Sequence, residues 1–353
     1  MHDFDEYIKQ TEPDKREKGL IWQTAIGLQQ VDGLTPSAYL IETARQNIEG
    51  DITIEEAKQL VDSYYKSSAV RSDANDRTEE ADKVSVRIAE VLAEKTFSFS
   101  PVEYSGIHRR LFSGLYKHAG KIRDYNITKQ EWVLGGETIY YSSASLIRET
   151  LEYDFREEKN FVYKGLNQQQ VVEHIARFIS GIWQIHPFGE GNTRTTAVFA
   201  IKYLRTFGFA VDNEPFAEHS WFFRNALVRA NYNNSARGIH STTKYLDRFF
   251  GNLLFGENHV LKNRELHIDF NPPVDEGNNP KCNICTLGDT LNCTLEEIAV
   301  LQYLKENPRA TQKEIAVHIG KSERTVKTLT VKLSGGGLIE RKNGKRNGYW
   351  EVK

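Results

Sequence analysis

One short segment, residues 186–196, constrains this 353-residue chain more than any other, because it joins two helical stretches through a turn that contains two glycines. Before it, apolar residues recur from Val171 to Trp183 with the 3.6-residue period of a helix that faces a core. After it, residues 195–207 again have a helical pattern. Such a turn leaves backbone N–H groups without intrahelical partners at the positive end of a helix dipole. The segment therefore predicts an anion-binding turn at the N-terminus of a helix.

His186 is the residue of this turn that suits acid–base chemistry. Its unperturbed pKa, about 6.5, lets the imidazole accept a proton near neutral pH, so we predict that it is a general base. Glu190 supplies a hard carboxylate donor of the kind that binds Mg²⁺ together with water and substrate phosphates. An ordinary helix end followed by a solvated loop is the alternative, which accounts for a lone histidine more readily than for the whole ordered set.

The other polar groups of the turn fit the oxygens of a phosphate chain. The amide of Asn192 and the guanidinium fork of Arg194 provide hydrogen-bond donors, and the two glycines allow the backbone to approach a ligand closely. The predicted nucleotide- and phosphate-binding residues of the turn are Gly189, Glu190, Gly191, Asn192, Thr193 and Arg194.

At these residues the chain resembles the Fic family, whose motif reads His-x-Phe-x-(Asp/Glu)-Gly-Asn-Gly-Arg-x-x-Arg. Two positions differ from that motif, since Thr193 stands where glycine is usual and Ala197 stands where the second arginine would be. The resemblance implies a helical core that transfers AMP from ATP, with Mg²⁺, to a Ser, Thr or Tyr hydroxyl of a protein. It also implies that His186 deprotonates that hydroxyl. The matching positions are His186, Phe188, Glu190, Gly191, Asn192 and Arg194.

Residues 132–141 place two β-favouring runs on either side of a glycine pair, a pattern typical of a β-hairpin. By the same resemblance, this hairpin would be a flap that takes up a segment of the target protein as an added strand. An ordinary surface hairpin is the alternative. The residues of the predicted docking flap are Trp132, Val133, Leu134, Gly135, Gly136, Glu137, Thr138, Ile139 and Tyr140.

Thr53 and Glu56 have the spacing of a capping box, so a helix is expected to begin there, and Gly50 is expected to end the helix before it. The residues before that glycine resemble the inhibitory motif (Ser/Thr)-x-x-x-Glu-(Gly/Asn) of many Fic proteins, with Arg45 in the Ser/Thr position. The resemblance implies that Glu49 enters the nucleotide site and obstructs the γ-phosphate. A solvated carboxylate at a helix end is the alternative.

A further helical stretch runs from Ser220 to Asn231 near the end of the presumed core. In Fic proteins the corresponding helix lines the adenine pocket. By its place, Asn231 is the residue expected to hydrogen-bond to the base.

The last sixty residues differ in charge from the rest of the chain. They contain twelve Lys and Arg against seven Glu, a net charge of +5, whereas the whole chain has −2. Three short helical patterns and two strands with Asn-Gly turns follow one another, which predicts a winged helix-turn-helix. It would contact DNA, or alternatively dock a protein or form a homodimer. The expected DNA contacts are Arg324, Thr325, Lys327 and Thr328 on the recognition helix and Lys345 and Arg346 at the wing tip.

The whole chain is therefore predicted to be mainly α-helical and to have four parts. These are an N-terminal helical region with the inhibitory-type motif (1–95), a Fic-type core with a hairpin flap (96–256), a linker (257–293) and a winged-helix domain (294–353). No apolar run reaches the roughly 18 residues that span a bilayer, and the first residues do not read as a signal peptide. We therefore expect a cytoplasmic protein that does not engage a membrane.

Three functions remain open at this point. The first is a protein adenylyltransferase, inhibited by Glu49, whose winged helix serves localisation, dimerisation or target recognition. The second is a DNA-binding transcriptional regulator whose degenerate core senses ATP. The third is the reverse reaction, removal of AMP from a modified protein, in which Glu49 would orient water.

Overall fold

The computed structural model describes residues 4–9, 12–66, 75–209, 211, 214–270, 295–342 and 348–353. They form two compact units. The first comprises the described residues within 1–160, 176–202 and 212–270, and the second comprises those within 161–175, 203–211 and 271–353. No described helix is both long enough and apolar enough to cross a membrane.

Helices account for most of the described residues, as expected from the sequence. The α-helices up to the end of the first unit are α1 (Asp5–Ile8), α2 (Pro13–Gly27), α3 (Ala38–Glu49), α4 (Ile54–Lys66), α5 (Asn75–Ala93), α6 (Pro101–Phe112), α7 (Ile147–Asn160), α8 (Gln168–Ile185), α9 (Asn192–Arg205), α10 (Glu214–Glu218), α11 (Ser220–Ala230) and α12 (Lys244–Phe255). Short 3₁₀ helices span Leu28–Asp32, Trp132–Leu134, Ala144–Leu146, Ser235–Arg237 and Asn263–Leu266.

An aromatic cluster fills the centre of the first unit, where α6, α7, α8 and α9 meet. Phe155 lies between Phe99, Tyr104, Phe178 and Phe199, with ring centroids 5.0–6.2 Å apart. Aromatic side chains contribute large buried areas and favour such tilted and edge-on pairs. The cluster therefore packs α8 against α9, the two helices between which the predicted turn lies.

The N-terminal helices are tied together by the buried carboxylate of Asp82 on α5. It accepts hydrogen bonds from the backbone N–H and the hydroxyl of Ser37 and from the hydroxyl of Tyr65. Ser37 in turn caps α3, because its hydroxyl accepts from the N–H of Leu40. The buried charge is thus fully bonded, as burial requires.

The helix signals around Gly50 are confirmed. Gly50 ends α3 with a φ of +92°, and the hydroxyl of Thr53 accepts from the N–H of Glu56 while the Glu56 carboxylate accepts from the N–H of Thr53. This reciprocal pair begins α4 at the expected place.

The predicted hairpin exists, but its first strand was placed wrongly. β1 (Thr128–Gln130) pairs antiparallel with β2 (Thr138–Tyr140), in a register that sets Lys129 opposite Ile139. The run Trp132–Leu134, expected as a strand, is a 3₁₀ helix instead. Val133 and Leu134 are buried, and the carbonyl of Val133 accepts from the N–H of Ile268. Burial of these two side chains overrides their β propensity.

Part of the segment predicted as a linker packs on the first unit. Leu266 is buried, Asn263 accepts a hydrogen bond from Asn225, and Ile268 bonds to Val133 as described above. The rest of the predicted linker, residues 271–293, lies outside the described residues.

The second unit contains the predicted winged helix-turn-helix. It has α13 (Leu295–Glu306), α14 (Gln312–His318) and α15 (Glu323–Gly335), followed by the antiparallel pair β3 (Ile339–Lys342) and β4 (Tyr349–Val352). The capping box of Thr311 begins α14, and Gly320 makes the turn before α15 with a φ of +64°. These elements confirm the fold expected from the sequence.

The outward face of α15 also agrees with the prediction. Its exposed residues include Arg324, Thr325, Lys327 and Thr328, whereas Val326 and Leu333 are buried. The predicted wing-tip residues Lys345 and Arg346 lie outside the described residues.

Candidate active site

The turn after α8 takes its shape at His186. This residue has a φ of +51°, the left-handed conformation that few residues other than glycine adopt, and its N–H donates to the carbonyl of Trp183. Pro187 follows and has no N–H with which to continue the helix. The chain therefore leaves α8 sharply and enters α9 at Asn192.

The imidazole of His186 is enclosed by aromatic rings. Its centroid lies 3.7 Å from that of Tyr141 in a stacked arrangement and 5.5 Å from that of Trp183 in an edge-on arrangement. The side chain is 3% exposed, and neither ring nitrogen has a hydrogen-bond partner among the described residues. Burial, reinforced by the positive charge of Lys129, lowers the pKa of His186 well below its ordinary value. The ring is therefore neutral at pH 7, with a basic nitrogen that the described residues leave unused.

Arg123 holds the backbone on both sides of this histidine. Its Nε donates to the carbonyl of His186 at 2.8 Å, and its terminal nitrogens donate to the carbonyls of Tyr125 and Ser142 at 2.5 and 2.6 Å. Its own N–H donates to the carbonyl of Pro187. Arg123 was not among the predicted site residues. A lone arginine gives no local signal, because its partners lie up to 64 residues away.

Asn192 and Thr193 brace the turn through their side chains. The Asn192 amide accepts from the N–H of Phe188 at 3.0 Å and donates to the Phe188 carbonyl at 2.7 Å. The Thr193 hydroxyl accepts from the indole N–H of Trp183 at 3.0 Å. The first backbone bond of the helix ladder runs from Thr195 N to Gly191 O, so the backbone N–H groups ahead of it face the mouth of the turn. Both side chains thus shape the predicted anion site and are already engaged there.

Glu190 is the outward-pointing member of the turn. Its side chain is 57% exposed and lies 3.3 Å from the ammonium of Lys129 on β1. No group of three His, Cys, Asp or Glu that could hold a metal occurs among the described residues. A Mg²⁺ ion at Glu190 would therefore need phosphate and water oxygens for its other ligands, which suits this ion.

A second histidine, His108, supports Glu190 from behind. One ring nitrogen is 2.9 Å from the Glu190 carbonyl and the other accepts from the N–H of Gly120 at 2.8 Å, while the ring stacks on Phe188 at 3.8 Å. Burial lowers the pKa of His108 to about 4. The neutral imidazole of His108 thus connects Gly120 to the turn through its two ring nitrogens. His108 was not among the predicted site residues.

Arg194, predicted to contact phosphate, is instead buried within the protein. Its side chain is 1% exposed. Nε lies 2.9 Å from Asp32 without hydrogen-bond alignment, and the terminal nitrogens donate to Gln29 at 3.0 Å, Glu80 at 2.5 Å and Tyr116 at 3.3 Å. A buried guanidinium needs such counter-charges. In this conformation, carboxylates of the N-terminal region occupy the fork predicted to bind phosphate.

Glu49, the predicted inhibitory residue, lies in a different environment. Its carboxylate is 2.7 Å from Lys15 and 40% exposed, and hydrogen bonds from Lys15 and Tyr7 hold its pKa below the ordinary value. Among the described residues, these are its polar partners. The acidic groups that reach the turn are thus Asp32 and Glu80, and no contact of Glu49 supports its predicted role.

Asn231, expected at the adenine base, ends α11. Its amide donates to the carbonyls of Ser180 and Leu227 at 3.2 and 3.0 Å. The bond to Ser180 ties the end of α11 to α8, and the bond to Leu227 stays within α11, so the donors of Asn231 are engaged within the protein.

The predicted flap is anchored by hydrogen bonds at Glu137, and some of its side chains are exposed. Glu137 accepts hydrogen bonds from Tyr232, Asn234 and Arg237. Val133, Leu134 and Ile139 are buried, whereas Trp132 and Tyr140 are 50% and 72% exposed. Of the predicted docking residues, only some therefore face outward, with Trp132 and Tyr140 the largest.

The close approaches at the two glycines of the turn are to protein groups. A Cβ on Gly189 would lie 2.7 Å from the hydroxyl of Tyr125 and 3.1 Å from the imidazole of His118. A Cβ on Gly191, which has a φ of +75°, would lie 2.4 Å from the ring of Phe112. We predicted glycine at these positions so that a ligand can approach the backbone. Contacts with Tyr125, His118 and Phe112 are already enough to exclude a side chain there.

Comparison with known proteins matches two parts of the chain to families. Residues 98–204 match the Fic/DOC family, and residues 297–340 match the winged helix-turn-helix DNA-binding family. These ranges contain the candidate turn and the three helices of the winged unit, respectively.

Two curated relatives are protein adenylyltransferases by name. Protein adenylyltransferase VbhT of Bartonella schoenbuchensis is 28% identical over 129 residues, which cover 36% of this chain and 25% of that protein. Probable protein adenylyltransferase y4lH of Sinorhizobium fredii is 29% identical over 148 residues, 41% of this chain and 70% of that protein. The matched region thus spans a quarter of the first relative and under three quarters of the second.

A solved structure of a Fic family protein from Desulfovibrio desulfuricans G20 aligns with 99% of this chain and 94% of its own. The sequence identity is 13% and the TM-score is 0.44.

We predict that Gly191→Ala lowers the free energy of unfolding by about 3 kcal/mol, since it adds left-handed backbone strain to a clash with Phe112. The matched control is Gly114→Ala, where φ is +77° but a Cβ meets nothing within 4 Å, and about 1 kcal/mol is expected. Urea unfolding of both variants gives the comparison. Equal losses would mean that the Phe112 contact is not a constraint.

Proposed function

We propose, from the premise that residues 98–204 form a Fic/DOC domain, that this protein transfers AMP from ATP to a Ser, Thr or Tyr hydroxyl of a protein. The observation that carries the proposal is the neutral, buried imidazole of His186, whose ring nitrogens have no described partner, beside the free N-terminus of α9. The names of the two curated relatives agree with this reaction.

The proposed step uses His186 as a base. The target hydroxyl gives its proton to the imidazole, its oxygen forms a bond to the α-phosphorus of ATP, and the bond between the α-phosphorus and the bridging oxygen breaks to release pyrophosphate. Backbone N–H groups at the start of α9 would hold phosphate oxygens, and Glu190 would hold Mg²⁺, which neutralises phosphate charge. Arg123 keeps the His186 carbonyl in place and thereby orients the ring.

The flap would position the target. Trp132 and Tyr140 offer exposed aromatic surface near the pair of β1 and β2, and an extended target segment would add to the sheet through backbone hydrogen bonds. Anchoring of Glu137 by Tyr232, Asn234 and Arg237 fixes the hairpin in place before a target arrives. Such recognition reads backbone more than sequence.

The structure suits a resting form of this enzyme. Asp32 and Glu80 contact the guanidinium of Arg194, the motif arginine, as the oxygens of a phosphate would. We propose that these two carboxylates, which the sequence did not single out, compete with the nucleotide for the guanidinium. Inhibition by Glu49 remains a prediction from the motif.

The transfer reaction is tested by intact-mass analysis after incubation with Mg²⁺ and each of ATP, GTP, CTP and UTP. A mass increment of AMP is expected with ATP, on the protein itself or on an added target. It should vanish in His186→Ala, because no other group of the turn can take the proton. Equal labelling in that variant would remove His186 from the role of base.

The pH dependence follows from the lowered pKa of His186. A lowered pKa keeps the imidazole unprotonated through neutral pH, so the base is lost only on further acidification. We expect the initial rate of transfer to be level near pH 7 and its acidic limb to fall below pH 6.5, the ordinary histidine value. Rates in a buffer series of constant ionic strength measure this, and a limb centred above 6.5 would contradict the burial argument.

Competition for Arg194 is tested by pairing variants at the two acidic positions. Asp32→Asn and Glu80→Gln should each raise AMP transfer several-fold at subsaturating ATP, since the guanidinium loses a competing charge. Each should also lower stability, because a buried cation loses its partner. Glu49→Gly should leave the rate unchanged if Glu49 is only the partner of Lys15. A rise in Glu49→Gly alone would instead support the inhibitory motif.

A second candidate function, binding of duplex DNA, is favoured by the family match of residues 297–340. The exposed face of α15 carries Arg324 and Lys327 with Thr325 and Thr328. Such a helix can enter a major groove. The transcriptional-regulator alternative shares this property, and nucleotide transfer would separate the two.

We expect a salt-sensitive mobility shift of the whole protein with duplex DNA at low ionic strength. Arg324→Ala and Lys327→Ala should each reduce affinity a few-fold and lower the salt dependence by about one ion. Lys305→Ala, an exposed lysine on α13, is the matched control and should bind as the unmodified protein does. Absence of a shift even at low salt would favour a protein-docking role for this unit.

A further inference from the structure

A cleft of about 590 Å³ lies in the first unit, between α6, the segment 120–122 and the start of α7. One face of α6 forms its floor. Gly106 lies at the centre of this face, and a Cβ built there meets nothing within 4 Å. The absent side chain thus leaves room that no described group fills.

The rim of the cleft is basic. Arg109, Lys121 and Arg148 line it and are exposed, and none of the three forms an ion pair with any residue in the described ranges. Glu152 is the acidic residue among the lining side chains. Other arginines near the cleft in sequence are held by carboxylates, as Arg110 is by Glu94 and Arg156 by Glu157. Three cations against one carboxylate leave a positive field in the cleft.

The cleft lies next to the candidate active site along the chain. Lys121 is two residues from Arg123, which holds the His186 carbonyl, and β1 begins six residues after the segment 120–122. Arg148 follows β2 by eight residues, a span of at most about 28 Å even when fully extended. A protein segment aligned along the flap could therefore extend into the cleft within the length of a short peptide.

The charge of the surroundings selects the occupant. Residues 1–293 carry a net charge of −7, since the last sixty residues contribute +5 to a total of −2. A long nucleic acid would be repelled by the surface outside the cleft, whereas a few carboxylates would face three cations and the single carboxylate of Glu152. Val102 on the rim is 80% exposed, which suits an apolar residue of a peptide better than a phosphate chain.

We propose that this cleft binds an acidic segment of the protein target, close in sequence to the hydroxyl that is modified. The proposal rests on the proposed function for its account of why a target binds, but binding itself does not depend on turnover. Arg109, Lys121 and Arg148 would each contact a carboxylate, and Glu152 would limit the affinity so that product can leave.

The test uses the full chain and a fluorescein-labelled twelve-residue peptide that contains five Asp or Glu around one Ser. Fluorescence anisotropy should show binding at 50 mM salt, where the Debye length is about 14 Å and the three cations can attract the peptide carboxylates. The affinity should fall as salt is raised, because added ions screen this attraction. Lys121→Gln and Arg148→Gln should each weaken binding roughly three- to five-fold. Gly106→Leu should weaken it about ten-fold by filling the cleft.

Two matched variants separate the cleft from general charge. Arg156→Gln removes a positive charge from the same helix as Arg148 but outside the cleft, and should leave affinity unchanged. Glu152→Gln should increase affinity two- to three-fold. Peptide binding that is absent at 50 mM salt, or that responds equally to Arg148→Gln and Arg156→Gln, would overturn the proposal. Tighter binding of a single-stranded oligonucleotide of the same charge, lost in the cleft variants, would also overturn it.

Failure of the proposed function would be visible separately. His186→Ala should bind the peptide as well as the unmodified protein does. If no nucleotide is transferred by either protein but the cleft variants still weaken peptide binding, the enzymatic proposal falls and the docking proposal stands. If transfer occurs and the cleft variants leave KM for the peptide unchanged, the docking proposal falls alone.

Discussion

The candidate site depends most directly on the hydrogen bonds that the guanidinium of Arg123 donates. It bonds to four backbone carbonyls from three segments: Ile185 and His186 at the turn, Tyr125 before the hairpin and Ser142 after it. Five donors in one plane can join segments in this way, and no single neutral side chain offers as many. His186 and the hairpin of β1 and β2 therefore share one anchor, so a shift in either segment is transmitted to the other.

Charge placement around Arg194 shows how the N-terminal region is coupled to the same site. A fully buried cation is stable only with closely placed anions, and here these anions come from Asp32, beyond α2, and Glu80, on α5. Docking of the N-terminal helices and neutralisation of the arginine are thus one event. Under the proposed function, a nucleotide that offered negative charge to Arg194 would compete with these two carboxylates and weaken that docking.

Local signals in the sequence were reliable where the structure is local. The capping box at Thr53, the end of α3 at Gly50 and the order of elements in the winged unit follow from neighbouring residues, and all are present. The turn after α8 was found for the same reason, since its residues are adjacent in sequence. The roles of its side chains could not be read in the same way, because Arg194 meets partners more than 110 residues away.

The misplaced strand has the same cause. Trp132–Leu134 has strong β propensity, but Val133 and Leu134 are buried and the 263–270 segment packs over them, so burial decided the conformation. The polar run Thr128–Gln130 gave little local indication of a strand and pairs with β2 because the chain on either side is fixed. Tertiary contacts of this kind leave no periodic trace.

The bond between the indole of Trp183 and the hydroxyl of Thr193 has an implication for how this motif varies among sequences. A glycine at position 193, the usual family residue, would leave a buried indole donor without its acceptor, and burial of an orphaned donor is costly. The identity of one motif position is thereby set by a side chain one helix earlier. Sequences that revert to glycine there should also replace the tryptophan with a residue that has nothing to donate, so the two sites should vary together.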